Sequence, residues 1–133
     1  MNENKGLNVD KKNIYTTLTF LIMDWIKLEN ENQVEEIKKI SIEKPVLIFK
    51  HSTRCSISST SLNRLERAWK TIEVKPYLLD LISFRNISSQ IAKEFGIEHQ
   101  SPQVLLIDQG KCVYNTSHLD INYSDILQQA HLA

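Results

Sequence analysis

The sequence predicts an α/β fold built on a mixed central sheet of four to five strands with helices on both faces. Three observations carry that prediction. The runs Val46-Leu47-Ile48-Phe49 and Val104-Leu105-Leu106-Ile107 are unbroken in hydrophobicity, as strands buried on both sides must be. Between them lie segments whose apolar residues recur at helical spacing, and strands separated by helices imply right-handed parallel crossovers. Towards the C-terminus a Gln109-Gly110 turn joins two strand-like runs as a hairpin, which adds antiparallel strands.

In chain order the elements read β-α-β-α-β-α-β-β-α. Residues 1–24 begin polar and show no sustained period, so they are expected to form a loose N-terminal extension, with one domain over 25–133. Within the extension, Thr16 to Met23 is rich in β-branched and apolar residues and offers an edge strand. Met23 also stands just before the first regular element, as an alternative translation start would. Trp25 to Leu28 alternates apolar and polar residues and predicts a short strand. Asn30 with Gln33 three residues on forms a capping box, and Val34, Ile37, Ile40 and Ser41 mark the buried side of the helix it starts. Pro45 opens the next strand, where its missing N–H is tolerated.

The second helix is expected over Ser56 to Thr71, with Ile57, Leu62, Leu65, Ala68 and Trp69 on its apolar side. A strand follows over Val74 to Leu79. Its Pro76 points to an edge, a bulge or a start just after it. Ile82 to Phe95 repeats the helical pattern through Ile87, Ile91, Ala92 and Phe95, and Gly96 stands where a left-handed C-terminal residue belongs. After the hairpin of Val104 to Ile107 with Cys112 to Asn115, a last helix over Asn122 to His131 buries Ile126, Leu127 and Ala130. Both tryptophans, Trp25 and Trp69, are expected in the core.

The totals exclude several classes. A chain of 133 residues suits one core, and 41% hydrophobic with 24% charged residues describes a globular chain rather than a disordered one. Sixteen basic residues balance sixteen acidic ones, so no bulk charge recruits nucleic acid. No apolar run approaches the ~18 residues a membrane span needs. Two cysteines are too few for a disulfide scaffold and their separation matches no zinc spacing, so no bound metal is expected; the default compartment is the cytosol, where thiols stay reduced.

Chemistry is expected in Pro45 to Ser58, PVLIFKHSTRCSIS. A buried strand stops at a polar turn and leaves Cys55 at the start of a helix, where free N–H groups and a partial positive charge favour thiolate over thiol. Lys50 and Arg54 are the nearby cations, and Cys55 is the candidate nucleophile for disulfide exchange. Ser58 occupies the second position of a C-x-x-C spacing. A hydroxyl resolves no mixed disulfide, so the pattern points to a monothiol cycle completed by an outside thiol. Cys112, in the hairpin strand with Val113 and Tyr114, reads as core rather than as a resolving thiol. His51 and His118 read first as structural residues, with thiolate tuning or carboxylate binding as the alternative.

A strand leading to Cys55 at a helix start, with Ser101-Pro102 before a later strand, resembles the thioredoxin fold. With the flank FKHS, the motif TRCSIS and SPQVLLI, residues 25 to 130 resemble the monothiol bacilliredoxins of the bacillithiol system. The resemblance implies that Pro102 is a cis-proline facing Cys55 and presents the Ser101 backbone to an extended substrate. It implies an oxidoreductase that removes bacillithiol from S-bacillithiolated client proteins, with bacillithiol as co-substrate and no bound cofactor. The family carries proline after the cysteine, whereas Ser56 stands here and adds an N–H and a hydroxyl beside the sulfur. Ser117 to Asp120, including His118, lies where glutaredoxins grip glutathione; with Lys50 or Arg54 it is a candidate for the malate carboxylates of bacillithiol, or else an ordinary capping segment. The competing expectations are a dithiol enzyme closing Cys55 to Cys112, and a thioredoxin-like binding module without catalysis.

Overall fold

Local signals set most element boundaries. Gln33 Oε1 accepts from the N–H groups of Glu29 (2.7 Å) and Asn30 (2.9 Å), and Asn30 Oδ1 accepts from Asn32 N–H (2.8 Å), so the capping box closes ahead of helix α1, Asn32–Ile40. The computed structural model describes residues 23–133; the expected extension and the strand within it lie outside these, apart from Met23 and Asp24. Met23 is buried in the one of the two cores that also holds Leu47 and Trp69.

The strands are β1 (Ile26–Lys27), β2 (Val46–His51), β3 (Lys75–Asp80), β4 (Gln103–Asp108) and β5 (Lys111–Ser117). They form one sheet in the order β1-β3-β2-β4-β5. The pairs β1–β3 and β3–β2 are parallel, while β2–β4 and β4–β5 are antiparallel, which gives the expected mixed sheet. Pro76 lies inside β3 opposite Leu47. Lys75 gives its N–H to Pro45 O at 2.9 Å, so the next nitrogen faces the other way, where two-residue β1 reaches only Tyr77 and Leu78. No ladder bond is lost there.

Alternation along β2 divides the core. Val46 and Ile48 pack on one face with Val34 and Ile37 of α1 and with Ile87 and Ile91 of α3 (Arg85–Phe95). Leu47 and Phe49 pack on the other with Leu65 of α2 (Ser56–Ala68) and Ile126 of α4 (Tyr123–Gln129). Helices therefore cover both faces.

Two helix boundaries differ from expectation by three residues, for identifiable reasons. Helix α2 stops at Ala68, because Trp69 turns extended with its ring buried and Tyr123 Oη accepts from the N–H groups of Lys70 and Thr71. Helix α3 starts three residues late, because the Asp80 carboxylate accepts from Ile82 N–H and Ser83 O–H and folds that stretch into a turn. Ile57 is exposed (43%), and α2 instead buries Ser58, Ser61 and Leu65. Trp25 is only half-buried; its ring meets Phe49 edge-on and its Nε1–H donates to Glu66 at 2.7 Å. Gly96 is left-handed, as expected.

Candidate active site

Cys55 follows β2 at the sheet's C-terminal end and is the N-cap of α2, in extended conformation. Its C=O accepts the helix's first bond from Ser59 N–H at 3.1 Å, and its own N–H donates to Ser52 O at 3.2 Å. The thiol side chain thus stands where a capping side chain would meet the first free amides, and the first turn carries no acid. Cys55 is partly exposed, and Arg54 and Ser56 beside it are exposed.

Ser58 is fully buried. Its Oγ accepts from Ser52 N–H at 3.0 Å and meets His51 Nδ1 at 2.7 Å. Burial holds His51 below the ordinary histidine value against the pull of Asp80 and Glu66, which favours a neutral ring accepting the Ser58 proton. Ser58 therefore ties the end of β2 and the turn before Cys55 to the helix that follows. The sequence pattern showed that sulfur is absent at position 58, and the geometry adds what the hydroxyl does there.

The Ser101–Pro102 peptide is cis, as the resemblance implied. Pro102 is buried and its C=O accepts from His118 N–H at 2.9 Å, while Ser61 Oγ donates to His118 O at 2.8 Å. His118 is left-handed (φ 57°) with an exposed side chain, and its backbone joins the cis-proline loop to α2. The turn His118–Asp120 thus gives up its first amide inside the protein, and Asn122 caps α4 by accepting from Asp125 N–H at 2.8 Å. That matches the capping reading of the segment. Gln103, absent from the sequence candidates, is buried and braces the loop before Pro102: its Nε2 donates to Glu98 O and its Oε1 accepts from Gln100 N–H.

One expected cation is elsewhere. Lys50 is not a surface charge beside the sulfur; it alternates with Phe49 on β2, is fully buried, and points to the α3 side of the sheet. Its Nζ lies 3.3 Å from His99 Nδ1, and desolvation draws it down to about 8. Arg54 remains the exposed cation next to Cys55.

The two cysteines are at opposite ends of the sheet. Cys112 pairs with Ile107, and Ile107 with Val46 at the start of β2, whereas Cys55 lies past the end of that strand. Five strand steps alone span about 16 Å, against the ~7 Å limit between the Cα atoms of a disulfide. Cys112 packs against the α1–α3 core, and burial pushes its thiol up. This geometry contradicts the dithiol alternative.

Comparison with known proteins agrees with this arrangement. Residues 26–126 match the family of monothiol bacilliredoxin BrxC. A solved protein described as an oxidoreductase with a thioredoxin fold is 32% identical, with a TM-score of 0.70 over 78% of this chain and 91% of that one. Thioredoxin of Malassezia sympodialis (19% identity, TM-score 0.62, 80% and 91% covered) and spinach chloroplast thioredoxin f (15%, 0.62, 84% and 94%) share the fold. With most of its length matched in this way, the chain belongs to the monothiol bacilliredoxin family.

Proposed function

We propose that this protein removes bacillithiol from S-bacillithiolated proteins in the cytosol by a monothiol cycle at Cys55. The Cys55 thiolate attacks the bacillithiol sulfur of the mixed disulfide. The client thiolate leaves and takes a proton from solvent, and bacillithiol stays on Cys55 as a new disulfide. A second bacillithiol thiolate then attacks the bound bacillithiol sulfur; bacillithiol disulfide departs and Cys55 thiolate is regenerated. Two electrons pass from the second bacillithiol to the client, and no bound cofactor takes part.

The observation that carries this reading is the absence of an internal partner for Cys55. Ser58 holds the neighbouring position with a hydroxyl engaged by His51 and Ser52, and Cys112 is at the far end of the sheet. Exchange must therefore be completed by a thiol from outside. Arg54 and Ser56, exposed beside Cys55, and the loop of Ser101 and Pro102, at the same end of the sheet, would form the rim for an extended client segment. The test is the initial rate at which the protein reduces a bacillithiol mixed disulfide on a client in the presence of bacillithiol. Wild type is expected to turn over and Cys55→Ser to fail; equal rates for the two overturn the reading.

A further inference from the structure

A cavity of about 770 Å³ opens between α3 and the loop that leads to Pro102. It reaches Ser52, which accepts the Cys55 N–H, and Ser101, the residue before the cis bond, so it adjoins the proposed reaction site. Its charged lining is Arg85 and Lys93 against one carboxylate, Glu98, with His99 beside them. Helix α3 begins here on Phe84, without a capping side chain and without an acid of its own in the first turn; the carboxylates at this end are Asp80, held by Ile82 and Ser83, and Glu31, held by Asn86.

Behind the lining residue His99 lies Lys50. Lys50 is 0% exposed, and no carboxylate among the described residues lies within ion-pair distance of it. A buried ammonium without a counter-ion is costly. Its side-chain contact is His99 Nδ1 at 3.3 Å, and Ser88 Oγ stands 3.3 Å from the same nitrogen. Facing an ammonium and a hydroxyl, Nδ1 acts as acceptor, which places the ring proton on Nε2. His99 itself is exposed, so the buried charge is relayed to an N–H donor at the surface. Ser101 Oγ is buried with no hydrogen-bond partner.

We propose that this cavity binds a carboxylate of the low-molecular-weight thiol, with His99 Nε2–H, Arg85 and Ser101 Oγ as donors and Lys50 beneath them as counter-charge. The inference rests on the proposed function in that the malate of bacillithiol supplies the carboxylates. It moves them away from His118–Asp120, where the first amide is already used and Asp120 and Asp125 repel an anion.

The test needs no disulfide exchange. Cys55→Ser protein is titrated with malate and with malamide, its uncharged diamide, while the ring signals of the four histidines are followed by NMR. The expected result is a saturable shift at His99 with malate, a far smaller one with malamide, and none at His118 or His131. Lys50→Met is expected to weaken malate binding about tenfold, the loss of one charge-assisted interaction. Should that variant not fold, Arg85→Ala serves for the same comparison. Equal responses to malate and malamide, a shift centred on His118, or undiminished binding by the variants overturn the proposal. So does an acidic thiol-free peptide that moves His99 at lower concentration than malate, since the cavity would then serve the client. Malate binding without turnover of a bacillithiol disulfide overturns the proposed function and leaves the cavity site standing; turnover without malate binding does the reverse.

Discussion

The two ends of β2 are built by different rules. At its start, Val46 pairs with Ile107 and lies near Cys112, and the surroundings are apolar. The buried polar residue near that end, Ser41, is satisfied by ordinary turn bonds: it donates to Lys38 O and accepts from Gly110 N–H. The other five buried polar residues among the described ones, Lys50, Ser58, Ser61, Ser88 and Gln103, belong to the end that carries Cys55, the cis-proline loop and the α3 cavity. Buried polar groups cost stability unless they are paired. Their concentration at one end marks where the fold gives up stability for a site, and it explains how one chain keeps one thiol inert and another available. The same atom type is a core hydrophobe at one end and a nucleophile at the other.

The largest effect expected from this contrast is on activity. Cys55→Ser should lower reduction of a bacillithiol mixed disulfide at least about 1,000-fold, as loss of a nucleophile does, while Cys112→Ser should stay within about twofold of wild type. Initial rates at matched protein concentration check both, and a large loss in Cys112→Ser would break the contrast.

Lys50 sharpens it through stability. Its folded pKa of about 8 lies below the unfolded value of 10.5, so between those values the unfolded chain binds more protons. Wild-type stability should therefore rise as pH goes from below 8 to above 10.5. Replacing the buried charge by a similar apolar chain, Lys50→Met, should stabilise the protein by about 1–3 kcal/mol at pH 7, with the advantage fading above the unfolded value. Urea unfolding at neutral and alkaline pH measures it. A variant less stable than wild type at pH 7 would contradict the account of an uncompensated buried cation.

How much of this was legible in the sequence depends on how local the cause is. The capping box at Asn30 and Gln33, the left-handed Gly96 and the helix start at Cys55 each rest on residues a few positions apart, and each lies where the pattern put it. Lys50 is close to Cys55 in sequence and not beside it in space, because strand alternation, visible in the same residues, sends it to the face opposite Phe49. Hydrophobicity alone favours Ile57 for the core, yet Ser58 and Ser61 occupy the buried face because His51, Ser52 and His118 use their hydroxyls. His99 left no local signal, since its partner Lys50 is 49 residues away.

Smaller effects come next. Ser58→Ala leaves the Ser52 N–H without its acceptor and should cost about 1–3 kcal/mol, together with a slower exchange rate as the turn before Cys55 loosens. Chemical denaturation and turnover measured on the same samples check the two together. Ser58→Cys restores the C-x-x-C spacing, and under oxidation it should form the internal disulfide that wild type lacks. The smallest expected change is in Cys112→Ser, which places a hydroxyl against the α1–α3 core and should cost about 1 kcal/mol; unfolding midpoints would show it. In wild type, burial raises the Cys112 thiol, so alkylation at neutral pH should modify Cys55 first and reach Cys112 only as pH rises or the protein unfolds.

The central claim is that exchange runs through one thiol with no partner inside the chain. Intact-mass and peptide mapping of wild-type protein, treated with a bacillithiol mixed disulfide while free bacillithiol is withheld, tests it most directly. A single bacillithiol adduct on Cys55, with Cys112 still a free thiol, is the predicted result. An internal Cys55–Cys112 bridge, seen as the loss of two hydrogens and no adduct, would contradict it.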